Sequence, residues 1–165
     1  MKKILAIVVA VVLVAGALFW QFGNAGKAAP DVTYHTLDGR QLSTQDLRGK
    51  VVLVKFWATS CVTCVQQMPG TAEVFEKLGP SGYEVIAVAM DYDPIEYVRN
   101  FTERRKLPFM VAHDASGDIA QAFGDVQLTP TAFLIDKKGR IIKRYLGNYD
   151  KDAFVRTVEQ ALAAG

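Results

Sequence analysis

Two cysteines separated by two residues, Cys61 and Cys64, are the side chains best suited to chemistry, and the chain has no others. On a helix they lie one turn apart on the same side, close enough to form a disulfide. Cys61 falls where an apolar strand, Val51 to Phe56, turns into a helix. The free N–H groups and positive dipole end of a helix start stabilise an anion, which predicts a lowered thiol pKa. One thiol can then attack a partner's disulfide and the other can resolve the mixed intermediate.

Two other uses of a C-x-x-C pair fit this sequence less well. A structural zinc site needs four ligands, and the two histidines, His35 and His113, lie far from the cysteines in sequence. A structural disulfide over so short a loop removes little entropy from the unfolded chain. The sequence therefore favours redox chemistry, with no metal ion and no cofactor beyond the cysteine pair.

The segment FWATSCVTC, followed by QQMP, closely resembles the active-site segment of thioredoxin-fold proteins. The resemblance is strongest to the membrane-anchored TlpA-like and ResA-like thiol-disulfide oxidoreductases, and it continues through TPTAFLIDKKGRI to cover residue 30 to the C-terminus. It implies an α/β thioredoxin-like fold, with a central mixed β-sheet flanked by helices, a short N-terminal β-hairpin and a βα insertion between the two halves. The pattern of strands separated by helices and followed by a terminal hairpin independently indicates a mixed sheet.

Apolar patterning and turn residues predict the elements that position the cysteines. The helix after the cysteines is expected to end at Leu78, before Gly79-Pro80, with a kink at Pro69. Asp93 is predicted to cap the next helix. The remaining elements are a hairpin over 32–42, a turn capped by Ser43 or Thr44, strands over 83–90, 109–112, 131–136 and 140–145, and helices over 94–105, 117–123 and 150–163.

The N-terminus predicts the location of the protein. Lys2 and Lys3 precede an uninterrupted apolar run from Ile4 to Trp20, which spans roughly 26 Å as a helix, close to the thickness of a bilayer core. The lysines are expected to stay in the cytoplasm and the rest of the chain to be exported. We predict a signal-anchor segment over residues 1–23, a linker over 24–30 and a thioredoxin-like domain over 31–165. A cleavable signal peptide is the alternative.

The charge distribution argues against a nucleic-acid partner. Three of the 19 basic residues and none of the 17 acidic residues lie in the first 27 positions. The remainder is close to neutral and has no basic patch of the kind that nucleic acids bind. A single domain that acts as a monomer is expected.

Thr129-Pro130 forms a second motif. A proline at this place is allowed simply as the start of a strand. In thioredoxin-like proteins, however, the matching proline is cis and faces the disulfide, and the residue before it pairs with the backbone of the substrate. The resemblance therefore implies that Thr129 and Pro130 bind substrate, together with Trp57 as a platform and Ser60, which leaves space beside the first cysteine.

Three positions beside the cysteines depart from the family pattern, and one of them is Ser60, because a tryptophan commonly precedes the first cysteine in relatives. Thioredoxin has a buried aspartate where this chain has Lys55, and ResA-like proteins often have a glutamate where it has Gln67. Neither residue supplies the buried carboxylate that would accept a proton from the second thiol. Lys55 either lies beneath the cysteines as a cation that lowers their pKa values, or extends to solvent from the end of its strand.

These features predict an extracytoplasmic thiol-disulfide oxidoreductase. Its expected partners are exported proteins, with apocytochromes c as one candidate, and a membrane thiol-disulfide electron donor. One alternative is a thioredoxin-like copper chaperone that uses the two cysteines with His113. A peroxiredoxin-like peroxidase is a further alternative, but it requires Thr or Ser three residues before its reactive cysteine, where this chain has Ala58 or Cys61.

Overall fold

A computed structural model of the protein describes residues 26–164. The predicted signal-anchor segment, residues 1–23, lies outside the described residues. Within residues 26–164, no helix combines the length and apolar character needed to cross a membrane.

A five-stranded mixed sheet forms the centre of the domain, and its middle strand leads directly to the cysteines. The strand order is β5-β4-β3-β6-β7, with β3, β4 and β5 parallel and with β6 antiparallel to both β3 and β7. Every residue of β3 is buried, as an apolar strand covered on both faces requires. The strands are β3 (Val51–Trp57), β4 (Tyr83–Ala89), β5 (Met110–His113), β6 (Thr131–Ile135) and β7 (Ile141–Leu146).

Helices cover both faces of this sheet, and the resulting fold is thioredoxin-like, as the sequence predicted. Helices α1 (Val62–Leu78), α2 (Ile95–Arg105) and α4 (Lys151–Ala163) pack on one face. The other face is covered by α3 (Asp118–Ala122) and by a hairpin of β1 (Thr33–His35) and β2 (Gln41–Ser43). The elements α2, β5 and α3 lie between the β3–α1–β4 unit and the terminal β6–β7–α4 unit, where the insertion was expected.

The predicted end of α1 is confirmed and the cap predicted for α2 is wrong, while the cap of α4 is a finding of the structure. Helix α1 ends at Leu78, and Asp150 caps α4 by accepting a hydrogen bond from the N–H of Ala153 at 2.7 Å. Asp93 does not cap α2, because the N-cap residue is Pro94 and no side chain of residues 26–164 caps the free N–H groups there. The buried side chain of Asp93 points instead to the loop before the cysteines.

The segment before the hairpin lies along the outer edge of the sheet. Ala29 donates its N–H to Gly139 at 2.9 Å, and Ile141 donates to Lys27 at 2.8 Å. Residues 27–29, which we predicted to belong to a linker, therefore extend the sheet beside the start of β7. This contact lies at the end of the sheet opposite the cysteines, because Ile141 pairs with Ile135 at the far end of β6.

Candidate active site

The two cysteines form a disulfide at the start of α1, with their Cα atoms 5.2 Å apart. Cys61 is the N-cap residue, and its Sγ accepts a hydrogen bond from the N–H of Cys64 at 3.2 Å. Its sulfur therefore already occupies the position where the helix start stabilises a thiolate. Cys64 is completely buried, whereas Cys61 is partly exposed and the adjacent Val62 is 69% exposed. Only Cys61 is thus accessible to a large partner.

Asp93 holds the loop that connects β3 to the cysteines. Its carboxylate accepts hydrogen bonds from the N–H and from the hydroxyl of Thr59, and it is 2% exposed. The N–H of Cys61 donates to the carbonyl of Ala58 at 3.1 Å, which closes the turn. Sequence reasoning missed this role of Asp93, because a residue just before Pro94 also satisfies the pattern of a helix cap.

The Thr129–Pro130 peptide bond is cis, as the family resemblance predicted. Thr131 pairs with Phe56, so the proline lies at the end of the sheet from which the cysteine loop leaves. Pro130 is buried, and its carbonyl accepts a hydrogen bond from Gly147 at 2.9 Å. The hydroxyl oxygens of Thr129 and Tyr92 are 3.4 Å apart.

The two other predicted substrate-binding residues differ in accessibility. Ser60 is exposed in the turn before Cys61, where a partner can reach it. Trp57 is fully buried and packs on Phe101 with the ring centroids 5.2 Å apart. Its burial contradicts a direct contact of Trp57 with substrate and leaves it the role of supporting the loop from within the core.

Lys55 is fully buried in the middle of β3, so the interpretation that it reaches solvent is wrong. Its ammonium donates a hydrogen bond to Oε1 of Gln67 at 2.6 Å and lies 5.5 Å from the ring centre of Tyr149. Among residues 26–164, no carboxylate forms an ion pair with it. Burial lowers the pKa of Lys55 from 10.5 to about 8, because an ammonium loses its hydration there.

The histidines are not brought together with the cysteines. His35 is exposed on β1, and the Nε2 of His113 donates to the backbone carbonyl of Asp93 at 2.9 Å. Within the described part of the chain, no three His, Cys, Asp or Glu side chains are grouped as metal ligands would be. The geometry offers no support for a copper site at the cysteine pair.

A disulfide in the first turn of a helix, a cis-proline at the same end of a mixed sheet and helices on both faces define a dithiol protein of the thioredoxin fold. Comparison with known proteins identifies the family. The Redoxin family model matches residues 24–162, and the chain belongs to this family.

Similar proteins agree with this assignment. Thiol-disulfide oxidoreductase ResA of Bacillus thuringiensis subsp. konkukian is 38% identical over 127 residues, which are 77% of this chain and 72% of the relative. A solution structure from Neisseria meningitidis, described as a thioredoxin, has a TM-score of 0.79 and 38% identity and covers 85% of this chain and 93% of its own. A Chlorobium tepidum structure described as thiol:disulfide interchange protein DsbE has a TM-score of 0.77 and 31% identity. The match covers 84% of this chain and 97% of that structure's chain. The protein is a ResA-like thiol-disulfide oxidoreductase.

Proposed function

We propose that the protein reduces disulfides of exported proteins on the outer side of the cytoplasmic membrane, with Cys61 as the attacking thiol. The observation that carries this proposal is the unequal exposure of the two sulfurs at the start of α1. The accessible sulfur of Cys61 is stabilised as a thiolate by the helix start, while Cys64 waits behind it, shielded from other partners.

The reaction follows from this arrangement. The Cys61 thiolate attacks one sulfur of the client disulfide, forming a mixed disulfide and releasing the other client sulfur as a thiolate. Cys64 then loses its proton and attacks the Sγ of Cys61, which releases the second client thiol and leaves the Cys61–Cys64 disulfide. The client gains two electrons and the enzyme loses two, so a membrane thiol-disulfide carrier must reduce the enzyme again.

The client is expected to bind beside Cys61 rather than above the buried sulfur. Thr129, next to the cis-proline, offers backbone groups at the edge of the site, and Ser60 leaves the approach open. Exposed apolar side chains of Val62 and Leu128, 69% and 64% exposed, flank this approach. Such a surface suits an unfolded or extended polypeptide whose cysteines are accessible, including an apocytochrome c before haem attachment.

Location is supported by the sequence of the N-terminus. Two lysines followed by 17 apolar residues from Ile4 to Trp20 have the charge and length of a signal-anchor. The test is cell fractionation combined with thiol labelling of intact cells by a membrane-impermeant reagent. We expect the chain in the membrane fraction at its full mass and Cys61 labelled from outside. Release of a shorter chain would favour a cleavable signal peptide.

The direction of electron flow is tested by equilibrating the full chain with glutathione buffers and measuring the fraction reduced. A reductase is expected near the potential of thioredoxin, about −270 mV, because it must donate electrons to client disulfides. A value near about −120 mV, typical of the strong periplasmic oxidant DsbA, would contradict the reductase role.

A further inference from the structure

Lys55 is a buried cation beside the cysteine helix, and among the described residues the disulfide state provides it with no anion. Lys55 lies in one row across the sheet between Ala87 and Ala132, and these two small neighbours leave room for its long side chain. The row faces the same core layer that contains Cys64. A buried ammonium without an ionic partner is costly, so a position of this kind needs a physical reason.

Gln67 fixes the direction of the lysine. Its Nε2 donates to the carbonyl of Gly147 at 3.1 Å and to Oδ1 of Asn148 at 3.0 Å. These two acceptors determine the orientation of the amide, so Oε1 must face Lys55. Gln67 follows Cys64 by three residues and thus lies one turn further along the same side of α1. The ammonium is thereby held beneath the helix that carries both sulfurs.

The other ionisable groups around the lysine remain neutral near physiological pH. Burial raises the pKa of Tyr149 to about 12, and it also raises the pKa values of Tyr145 and Tyr83. The nearby Lys151 at the start of α4 is exposed and is paired with Glu73. No fixed anion of the described residues therefore competes with a thiolate for Lys55.

Protons can reach this site from the surface. A cavity of about 200 Å³ opens between α1 and the start of α4 and is lined by Gln67, Thr71 and Tyr149 among others. Two of these three side chains contact Lys55 directly. Lys55 is thus buried but close to a route by which its proton exchanges with solvent.

We propose that Lys55 is the counter-ion of the reduced cysteine pair, so that reduction of the disulfide and protonation of Lys55 stabilise each other. This inference deepens the proposed function, since it rests on Cys61 and Cys64 cycling between disulfide and dithiol. Reduction by a partner dithiol breaks the Sγ–Sγ bond, converts the partner to a disulfide and leaves the protein with one thiol and one thiolate, while one proton is released. That proton binds Lys55 if the amine is neutral and enters solvent if it is already an ammonium.

The effect of Lys55 on the stability of the reduced protein is opposite to that of a buried carboxylate. A carboxylate near the sulfurs disfavours a thiolate, whereas an ammonium favours it and hence favours the reduced protein. This stabilisation of the reduced protein requires that a cysteine is a thiolate and Lys55 is an ammonium at the same pH. It therefore vanishes in acid, where both sulfurs are protonated, and in strong alkali, where Lys55 is neutral even in the reduced protein.

The test compares the full chain with Lys55→Met from pH 5 to pH 11. Both proteins are equilibrated with mixtures of reduced and oxidised dithiothreitol, quenched in acid, and their reduced fractions measured by alkylation and mass spectrometry. Dividing the equilibrium constant for reduction of the wild type by that of Lys55→Met cancels the titration of dithiothreitol itself, which is the same in both experiments. We expect this ratio to follow a bell-shaped curve against pH. It should be at least three near pH 8, where the wild type is reduced more readily, and close to one at pH 5 and at pH 11.

Two further variants distinguish the proposed charge effect of Lys55 from a general loss of stability caused by the substitution. Gln67→Glu retains Lys55 but adds a carboxylate beside it, and it should lower the reduced fraction in the same pH range even if Lys55→Met does not fold. Lys138→Met removes an exposed lysine from the β6–β7 turn at the opposite end of the sheet and should give a ratio of one throughout. A ratio for Lys55→Met that does not vary with pH overturns the role of Lys55. A wild type that dithiothreitol cannot reduce at all would instead overturn the proposed function.

Discussion

The carboxylate of Asp93 binds Thr59 through both of its oxygens, each at 2.6 Å from the donor atom. Thr59 lies two residues before Cys61, and Asp93 lies just after β4. A contact between the segments that follow β3 and β4 therefore fixes the loop that presents the reactive sulfur.

Removal of this carboxylate should destabilise the protein and loosen the loop. Asp93→Ala leaves the partly buried N–H of Thr59 without its partner, which costs about 2 kcal/mol in the free energy of unfolding. Chemical denaturation measures this loss, and hydrogen exchange should show faster exchange at the amide of Thr59.

Two variants serve as comparisons for this prediction. Asp93→Asn retains an oxygen that can accept from Thr59 and should be less destabilising than alanine. Asp91→Ala removes an exposed carboxylate two residues earlier and should change the free energy of unfolding by less than about 0.5 kcal/mol. Equal losses for Asp91→Ala and Asp93→Ala would argue against the specific contact.

Lys55 makes the stability of the oxidised protein depend on pH. Its pKa is about 8 in the folded protein and 10.5 when unperturbed, so the unfolded chain binds more protons between these values. Folding therefore releases a proton from Lys55 in that range. A rise in pH favours the state that has released the proton, so the free energy of unfolding increases with pH. From pH 8 to pH 10 the free energy of unfolding should increase by about 2 kcal/mol relative to Lys55→Met.

This comparison is made with the disulfide intact, so that no thiol titrates. It stays below pH 10, because Tyr149 has a folded pKa of about 12 against its ordinary 10.0 and destabilises the folded state at higher pH. Parallel stability curves for the wild type and Lys55→Met would mean that Lys55 is not buried as described.

The segment beside β7 has no room for a side chain at position 26. A Cβ added to Gly26 would overlap the carbonyl oxygen of Ile141, so Gly26→Val should displace residues 27–29 from the sheet. The expected loss is about 1 kcal/mol in the free energy of unfolding, with faster hydrogen exchange at the amides of Ala29 and Ile141. Lys27→Ala, which keeps the backbone contacts and changes only an exposed side chain, should leave both amides protected.

Local sequence signals were sufficient for most of the fold. The apolar run of β3, broken only by Lys55, and the Gly79-Pro80 stop after α1 each depend on residues next to one another in the chain. The chemistry of the cysteine pair followed from the spacing of a few adjacent residues. The cis-proline was implied by the family resemblance, because Thr129-Pro130 alone also fits the start of a strand.

The contacts that tune the site could not be predicted because they join distant segments. The burial of Lys55 depends on two alanines from neighbouring strands and on a glutamine from α1, and a single lysine in an apolar run fits a solvent-reaching strand end equally well. The role of Asp93 depends on Thr59, which belongs to a different βα connection. Similarly, residues 27–29 have a linker composition, and only their pairing with β7 shows that they belong to the sheet.

The most direct test of the central claim is to trap the mixed disulfide with a model client that contains one disulfide. Cys64→Ser in the full chain lacks the resolving thiol and should accumulate a covalent complex through Cys61, whereas Cys61→Ser should form none because Cys64 is buried. The complexes are resolved by non-reducing electrophoresis and the linkage is identified by mass spectrometry. Trapping by Cys61→Ser to the same extent as by Cys64→Ser would contradict the assignment of Cys61 as the attacking thiol.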